Sequence, residues 1–237
     1  SNWLFENCHS WGNASFDIEF AAGKSSSYRN ILINNSVFDK ALAIQGYGKS
    51  RVDLKFSNCT IGNPTFNRSA VIVRTVGAGS RIQFIDCSML SARTDKWAAP
   101  LDLADVDGTD LLVVGGVIKN YSPSPAICVL TKANVVDCTI RFSGALIEGG
   151  GTGITCKGAS DYYIAGGTIV SGCTDYGIRA SSSRYSARPN VYLGDSIIRD
   201  CGIGVYAHGA GDPNVQVNGS QFIDCTTDTV GVTRSSQ

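Results

Sequence analysis

The chain has no surplus of charge: Lys and Arg total 20, and so do Asp and Glu. A balanced sequence lacks the electrostatic footprint that nucleic acid or an anionic membrane surface requires, so neither is expected as a partner. No apolar run reaches the roughly 18–20 residues that would span a bilayer, and a soluble, globular chain is expected. Histidine is scarce, at 2 residues, His9 and His208, and neither belongs to a Ser-His-Asp pattern, so a hydrolytic triad is unsupported. None of the 9 cysteines stands in a Cys-x-x-Cys spacing, which removes the usual zinc and redox motifs. No metal and no cofactor is therefore expected. An odd cysteine count leaves at least one thiol without a partner in the chain, and reduced thiols fit assembly in a cytosol better than a disulfide scaffold does. Long apolar stripes of helical period are missing as well.

What is present is repetition. The segment NVYLGDSIIRDC, beginning at Asn190, returns as NVQVNGSQFIDC at Asn214. The same phrase, weakened, occurs along the whole chain. Anchored on one short residue, it falls at Cys8, Ser36, Cys59, Cys87, Gly116, Gly144, Gly167, Ser196 and Ser220, at gaps of 23 to 29 residues. Around each anchor the apolar residues alternate with period two, as in VQVNG and RIQFID, which places one face of a strand inward and one outward. A second strand follows each anchor, and a third recurs later as AVIVR, APLDLAD, GIRAS and GVYAH. Three short strands in about 26 residues are the arithmetic of one coil of a parallel β-helix. Eight of the nine residues preceding the anchors are Asn, Asp or Gly, with Ser143 the exception. A tight corner needs a residue at positive φ, where those three types lose least.

The fold class expected is therefore all-β: a single-stranded, right-handed parallel β-helix of about nine coils with three short strands per coil, residues 1–237 forming one domain. Cysteines one coil apart, Cys59 with Cys87, Cys128 with Cys156, and Cys173 with Cys201 and Cys225, are expected to stack as small buried apolar residues. NWLFENC already reads as strand and VGVTRSSQ follows an apparent third strand, with no amphipathic capping helix at either end. The expectation is a fragment, a processed product or one subunit of an oligomer.

This pattern resembles the right-handed β-helix superfamily of pectate-lyase-like proteins, which includes pectin-degrading enzymes, uronan epimerases and bacteriophage tailspikes. The resemblance covers essentially the whole chain and is specific for fold. It implies a substrate groove along the sheet made by the third strands. Aligned by its first inward residue, the outward column of that sheet reads Gln45, Ile72, Asp102, Cys128, Thr155, Arg179, Tyr206 and Gly231, followed two residues on by Tyr47, Arg74, Ala104, Leu130, Lys157, Ser181, His208 and Thr233. Lys157, Arg179, Tyr206 and His208 are the expected contacts to a sugar acid. The alternative is an ordinary solvated sheet face.

The acidic stretch LDLADVDGTD supplies a second candidate. Asp102 and Asp105 leave one strand end, and glycoside hydrolysis needs two carboxyl groups, about 5–5.5 Å apart for retention or about 6.5–9.5 Å apart for inversion. Trp97, just before them, offers a flat apolar face for a sugar ring. Acids in a turn also commonly do no more than solvate it or hold a cation. Glu148, in a glycine-rich corner, is a weaker candidate. Polar insertions at residues 21–30, 91–97, 121–125 and 181–190 carry Tyr28, Arg29, Arg184, Tyr185 and Arg188, types suited to sugar hydroxyls and carboxylates and equally to plain exposed loops. The signatures of polygalacturonases are missing: only Ala207-His208-Gly209 survives of Gly-His-Gly, and no Asp-Asp pair exists. The calcium-binding acids of pectate lyases are likewise not reproduced across coils.

Three functions follow as expectations. The first is a tailspike-like homotrimer, part of a virion tail, that binds a bacterial surface polysaccharide, with or without depolymerising it; no secretory leader is read at its start. The second is a secreted polysaccharide lyase or glycoside hydrolase. The third is a structural or adhesive β-helix without turnover.

Overall fold

The computed structural model describes residues 2–11, 16–22, 27–94, 99–123, 125–182, 188–209 and 212–232. Every element among them is a strand, and the strands form three sheets of nine, each strand pairing in parallel with its equivalents one coil before and after. The chain visits the three sheets in strict rotation, a right-handed parallel β-helix. The first sheet runs from Trp3–Glu6 to Asn214–Asn218, the second from His9–Ser10 to Gln221–Ile223, the third from Phe16–Ala22 to Thr227–Val230.

The alternation in the sequence fixes which face is buried. In Arg81–Ile85 the even residues Ile82 and Phe84 are fully buried, and Arg81 and Gln83 point out. Parallel register then stacks like on like: Phe84 lies between Phe56 and Val113, and the rings of Phe56 and Phe84 stack at 4.9 Å. The result is one continuous apolar core from Phe20 to Val215.

Corners explain the repeated Asx/Gly-small phrase. Between the first and second sheets the left-handed residue is Asn7, Asn35, Asn58, Asp86, Gly115, Gly144, Gly166, Asp195 and Gly219, with φ between 49° and 68°. All nine are Asn, Asp or Gly. Ser143 is not the sixth corner: Ser143 pairs with Val114 and Gly144 takes the turn, so the anchor slides one residue to Ala145. The residue after a corner turns inward, where a hydroxyl or thiol donates to the carbonyl two residues back, as Ser36 does to Asn34 (2.7 Å), Cys59 to Ser57 (3.3 Å) and Cys87 to Ile85 (3.3 Å). Serine and cysteine recur there because the space is small and each can give a second hydrogen bond to a carbonyl that already accepts an amide of the preceding coil. The second-to-third sheet corner repeats the device with Gly172-Cys173, Asp200-Cys201 and Asp224-Cys225.

One expected cysteine column is not formed. The strand Ile127–Thr131 pairs with Thr152–Cys156 so that Val129 faces Ile154, which leaves Cys128 and Cys156 out of line despite their spacing of one coil. Connections differ in length between coils, so equal spacing is not equal register. Cys128 instead donates to the carbonyls of Glu148 (3.2 Å) and Gly149 (3.1 Å).

Candidate functional site on the third sheet

The outward column of the third sheet reads Ala43, Ile72, Asp102, Leu130, Thr155, Arg179, Tyr206 and Val230. Gln45, Cys128 and Gly231 therefore do not stand in it. Gln45 pairs instead with Arg74, the place expected for Tyr47, and Leu130 belongs to the first column rather than the second. Thr233 lies outside the described residues. Arg179 and Tyr206 are cross-strand neighbours, as are Ser181 and His208.

Four of the expected contacts meet. Arg179 donates from Nε to Nε2 of His208 at 3.1 Å, and His208 stacks on Tyr206 with ring centres 4.8 Å apart. Tyr206 stacks in turn on Tyr176 at 4.9 Å, and the guanidinium of Arg179 lies 5.5 Å from the Tyr176 ring centre. Burial lowers the imidazole pKa from its ordinary value, and the positive charges of Arg179 and Lys157 lower it further. Accepting at Nε2 requires a neutral ring protonated at Nδ1, so geometry and electrostatics agree.

Lys157 is positioned from below. The hydroxyl of Tyr162, a fully buried residue of the first sheet, donates to the Lys157 carbonyl at 2.6 Å and accepts from its amide at 3.2 Å. The Lys157 amide also donates to the Thr131 hydroxyl at 2.9 Å. Lys132, Lys157 and Arg179 then border a cavity of about 470 Å³ floored by Ile127, Leu130 and Ala133 and edged by Thr155. Three cations over an apolar floor suit a ring that carries an anionic substituent.

Asp102 lies one strand from that floor, beside Leu130, with Ile72 on its other side. Its side chain is 0% exposed, neither carboxylate oxygen has a hydrogen-bond partner among the described residues, and Arg74 and Lys132 are each 3.6 Å away. Burial raises its pKa, against the pull of Lys132 and Arg74. Asp105 occupies the corner that ends the same strand, at φ 54°, half-buried. The other acids of the run are taken up elsewhere, Asp107 by Lys49 at 3.2 Å and Asp110 by Arg141. Trp97, Arg184 and Tyr185 fall outside the described residues.

The remaining candidates lie on other faces. Glu148 pairs with Lys119 at 2.9 Å on the second sheet, and His9 lies 3.7 Å from Asp39. Arg188 borders a separate cavity with Asp137, Thr139, Asp161 and Asn190 at the first sheet. Among the described residues no group of three or more His, Cys, Asp or Glu could hold a metal ion. Two members of the site were missed from sequence, Tyr176 and Lys132. Both stand just outside the strands as read, and counting outward from GIRAS and AICVL would have found them.

The fold and the site together define a parallel β-helix with a cation-bordered, tyrosine-flanked cavity on its third sheet. Compared with known proteins, the chain matches no protein-family model, no curated protein and no solved structure.

Proposed function

We propose that this β-helix binds an acidic polysaccharide of a bacterial surface along the outer face of the third sheet, in the manner of a tailspike, as a homotrimer carried on a virion. The observation that supports this reading most is the cavity of about 470 Å³ whose border holds Lys132, Lys157 and Arg179 around an apolar floor. A sugar ring presents an apolar face to such a floor and its carboxylate to the cations, and Arg179 matches a carboxylate bidentately where a lysine does not. The Tyr206 hydroxyl supplies a hydrogen bond for a ring hydroxyl.

Binding is favoured over turnover. Asp102 has the raised pKa of a general acid, which supports the second reading, a glycoside hydrolase with Asp105 as its partner carboxylate. Yet its carboxyl is wholly covered and sits between two cations. Replacing Asp102 and Asp105 together decides between the two: lost cleavage with retained binding establishes the enzyme, and unchanged behaviour removes the pair from consideration. The trimer is tested by light scattering behind a sizing column, where a particle of one 25.0 kDa chain contradicts it. For binding, calorimetric titration with an acidic and a neutral polysaccharide is the test; equal affinity for both overturns the proposal.

A further inference from the structure

The cysteine column at the second-to-third sheet corner has no part in the site above. Cys173, Cys201 and Cys225 each follow a left-handed corner residue and occupy the same position on three successive coils. Backbone bonds lock their spacing: the Gly202 amide donates to the Cys173 carbonyl and the Thr226 amide to the Cys201 carbonyl, both at 3.1 Å. Neighbours in this column are therefore one strand spacing apart, about 4.8 Å, inside the Cα separation of about 4.4–6.8 Å that a disulfide tolerates. Room for the sulfurs is built in, since a Cβ on Gly177 would stand 3.3 Å from the Cys201 Sγ and one on Gly153 would stand 3.1 Å from the Cys173 Sγ. All three thiols are free, and they differ in access: Cys173 and Cys201 are buried, while Cys225 is half-buried.

From this geometry we infer that Cys225 and Cys201 form a redox-modifiable pair, closed by a low-molecular-weight disulfide that enters at Cys225. The Cys225 thiolate attacks a sulfur of the reagent, forming a mixed disulfide and releasing one thiol. The Cys201 thiolate then attacks the Cys225 Sγ, forming the Cys201–Cys225 bond and releasing the second thiol. Two protein thiols lose two electrons and two protons, and the reagent gains them as two thiols, so the exchange balances. The bond ties the coil containing Gln221–Ile223 to the one before it.

Two internal controls sharpen the test. Cys8 is exposed at an equivalent corner, but the next coil offers it Ser36 in place of a thiol, so it can hold a mixed disulfide and nothing more. Cys59 and Cys87 share the one-coil spacing but are 1% and 2% exposed, so neither admits the reagent. The chain is incubated natively with oxidised glutathione, alkylated and mapped by mass spectrometry. The expected map shows a Cys201–Cys225 disulfide, glutathione on Cys8, and alkylated Cys59 and Cys87. In Cys201→Ser, a residue tolerated at the comparable corner positions Ser36 and Ser196, Cys225 accumulates as the mixed disulfide; in Cys225→Ser, Cys201 stays reduced. Oxidation should also slow amide exchange across Thr227–Val230 by tenfold or more. The inference is overturned if glutathione persists on Cys225 in the unaltered chain, if Cys225 stays reduced while Cys8 reacts, or if Cys59–Cys87 oxidises as readily.

Discussion

Asp102→Asn should make the protein more stable at neutral pH, although it removes one member of a three-charge cluster. Each cation 3.6 Å from the carboxylate contributes about 4 kcal/mol of attraction at an effective dielectric constant near 20. Against this stands the desolvation of a fully buried carboxylate, several kcal/mol per ion, and no hydrogen bond from the described residues offsets it. The raised pKa says that desolvation wins. Arg74 and Lys132 remain 46% and 34% exposed, so water can take over their solvation once the charge is gone. Relieving an unsatisfied buried charge is worth about 1–2 kcal/mol here, or about 2–8 °C in midpoint for a chain of this size. The sign with pH follows from the raised folded-state pKa. The folded state binds the proton more tightly, so this group's stabilisation is complete below the unfolded value of 3.8 and is lost as pH rises through the folded value. Thermal melts of the parent and of Asp102→Asn should therefore converge near pH 3.5 and separate toward pH 7, with the variant higher. A variant about 2 kcal/mol less stable at pH 7, with the gap closing on acidification, would instead mean that the two ion pairs outweigh desolvation.

Other consequences are read as directly. Arg179→Ala removes a positive charge and a hydrogen-bond donor from His208, so the imidazole pKa should rise toward its ordinary 6.5, as followed by NMR titration of the ring. In the parent, the lowered folded pKa means that the contribution of His208 is present above pH 6.5 and fades as pH falls through the folded value. Phe84→Ala deletes a fully buried ring stacked on Phe56 and should cost about 3–5 kcal/mol in denaturant unfolding. Gly144→Ala forces a side chain to φ 66° and should cost about 1–2 kcal/mol, whereas Asn35→Gly, at φ 49°, should be nearly neutral in the same assay.

Much of the fold is legible in the sequence because the constraints are local. A left-handed corner accepts few residue types, so Asn35, Asn58 and Asp86 announce themselves, and strand alternation names Phe56 and Phe84 as core. Errors arise where register depends on loop length: spacing alone puts a corner at Ser143 where Gly144 makes it, and aligns Cys128 with Cys156. The site is half legible for the same reason. Arg179, Tyr206 and His208 lie in strands of regular register, and the sequence places them correctly beside one another. Lys132 and Tyr176 lie at strand ends, where counting slips. The burial of Asp102 has no local signal at all, because the residues beside it, Ile72 and Leu130, lie about one coil away in sequence.

Everything proposed for the third sheet rests on its cations recognising an acidic polysaccharide. Calorimetry decides this by titrating one acidic polysaccharide, and the same polymer with its carboxyl groups reduced to alcohols, into the parent and the Lys157→Ala/Arg179→Ala double variant. The parent should bind the acidic polymer at least tenfold more tightly than the reduced one, and the double variant should lose that preference. Equal binding of both polymers by the parent, or an unchanged preference in the variant, would contradict recognition by these cations.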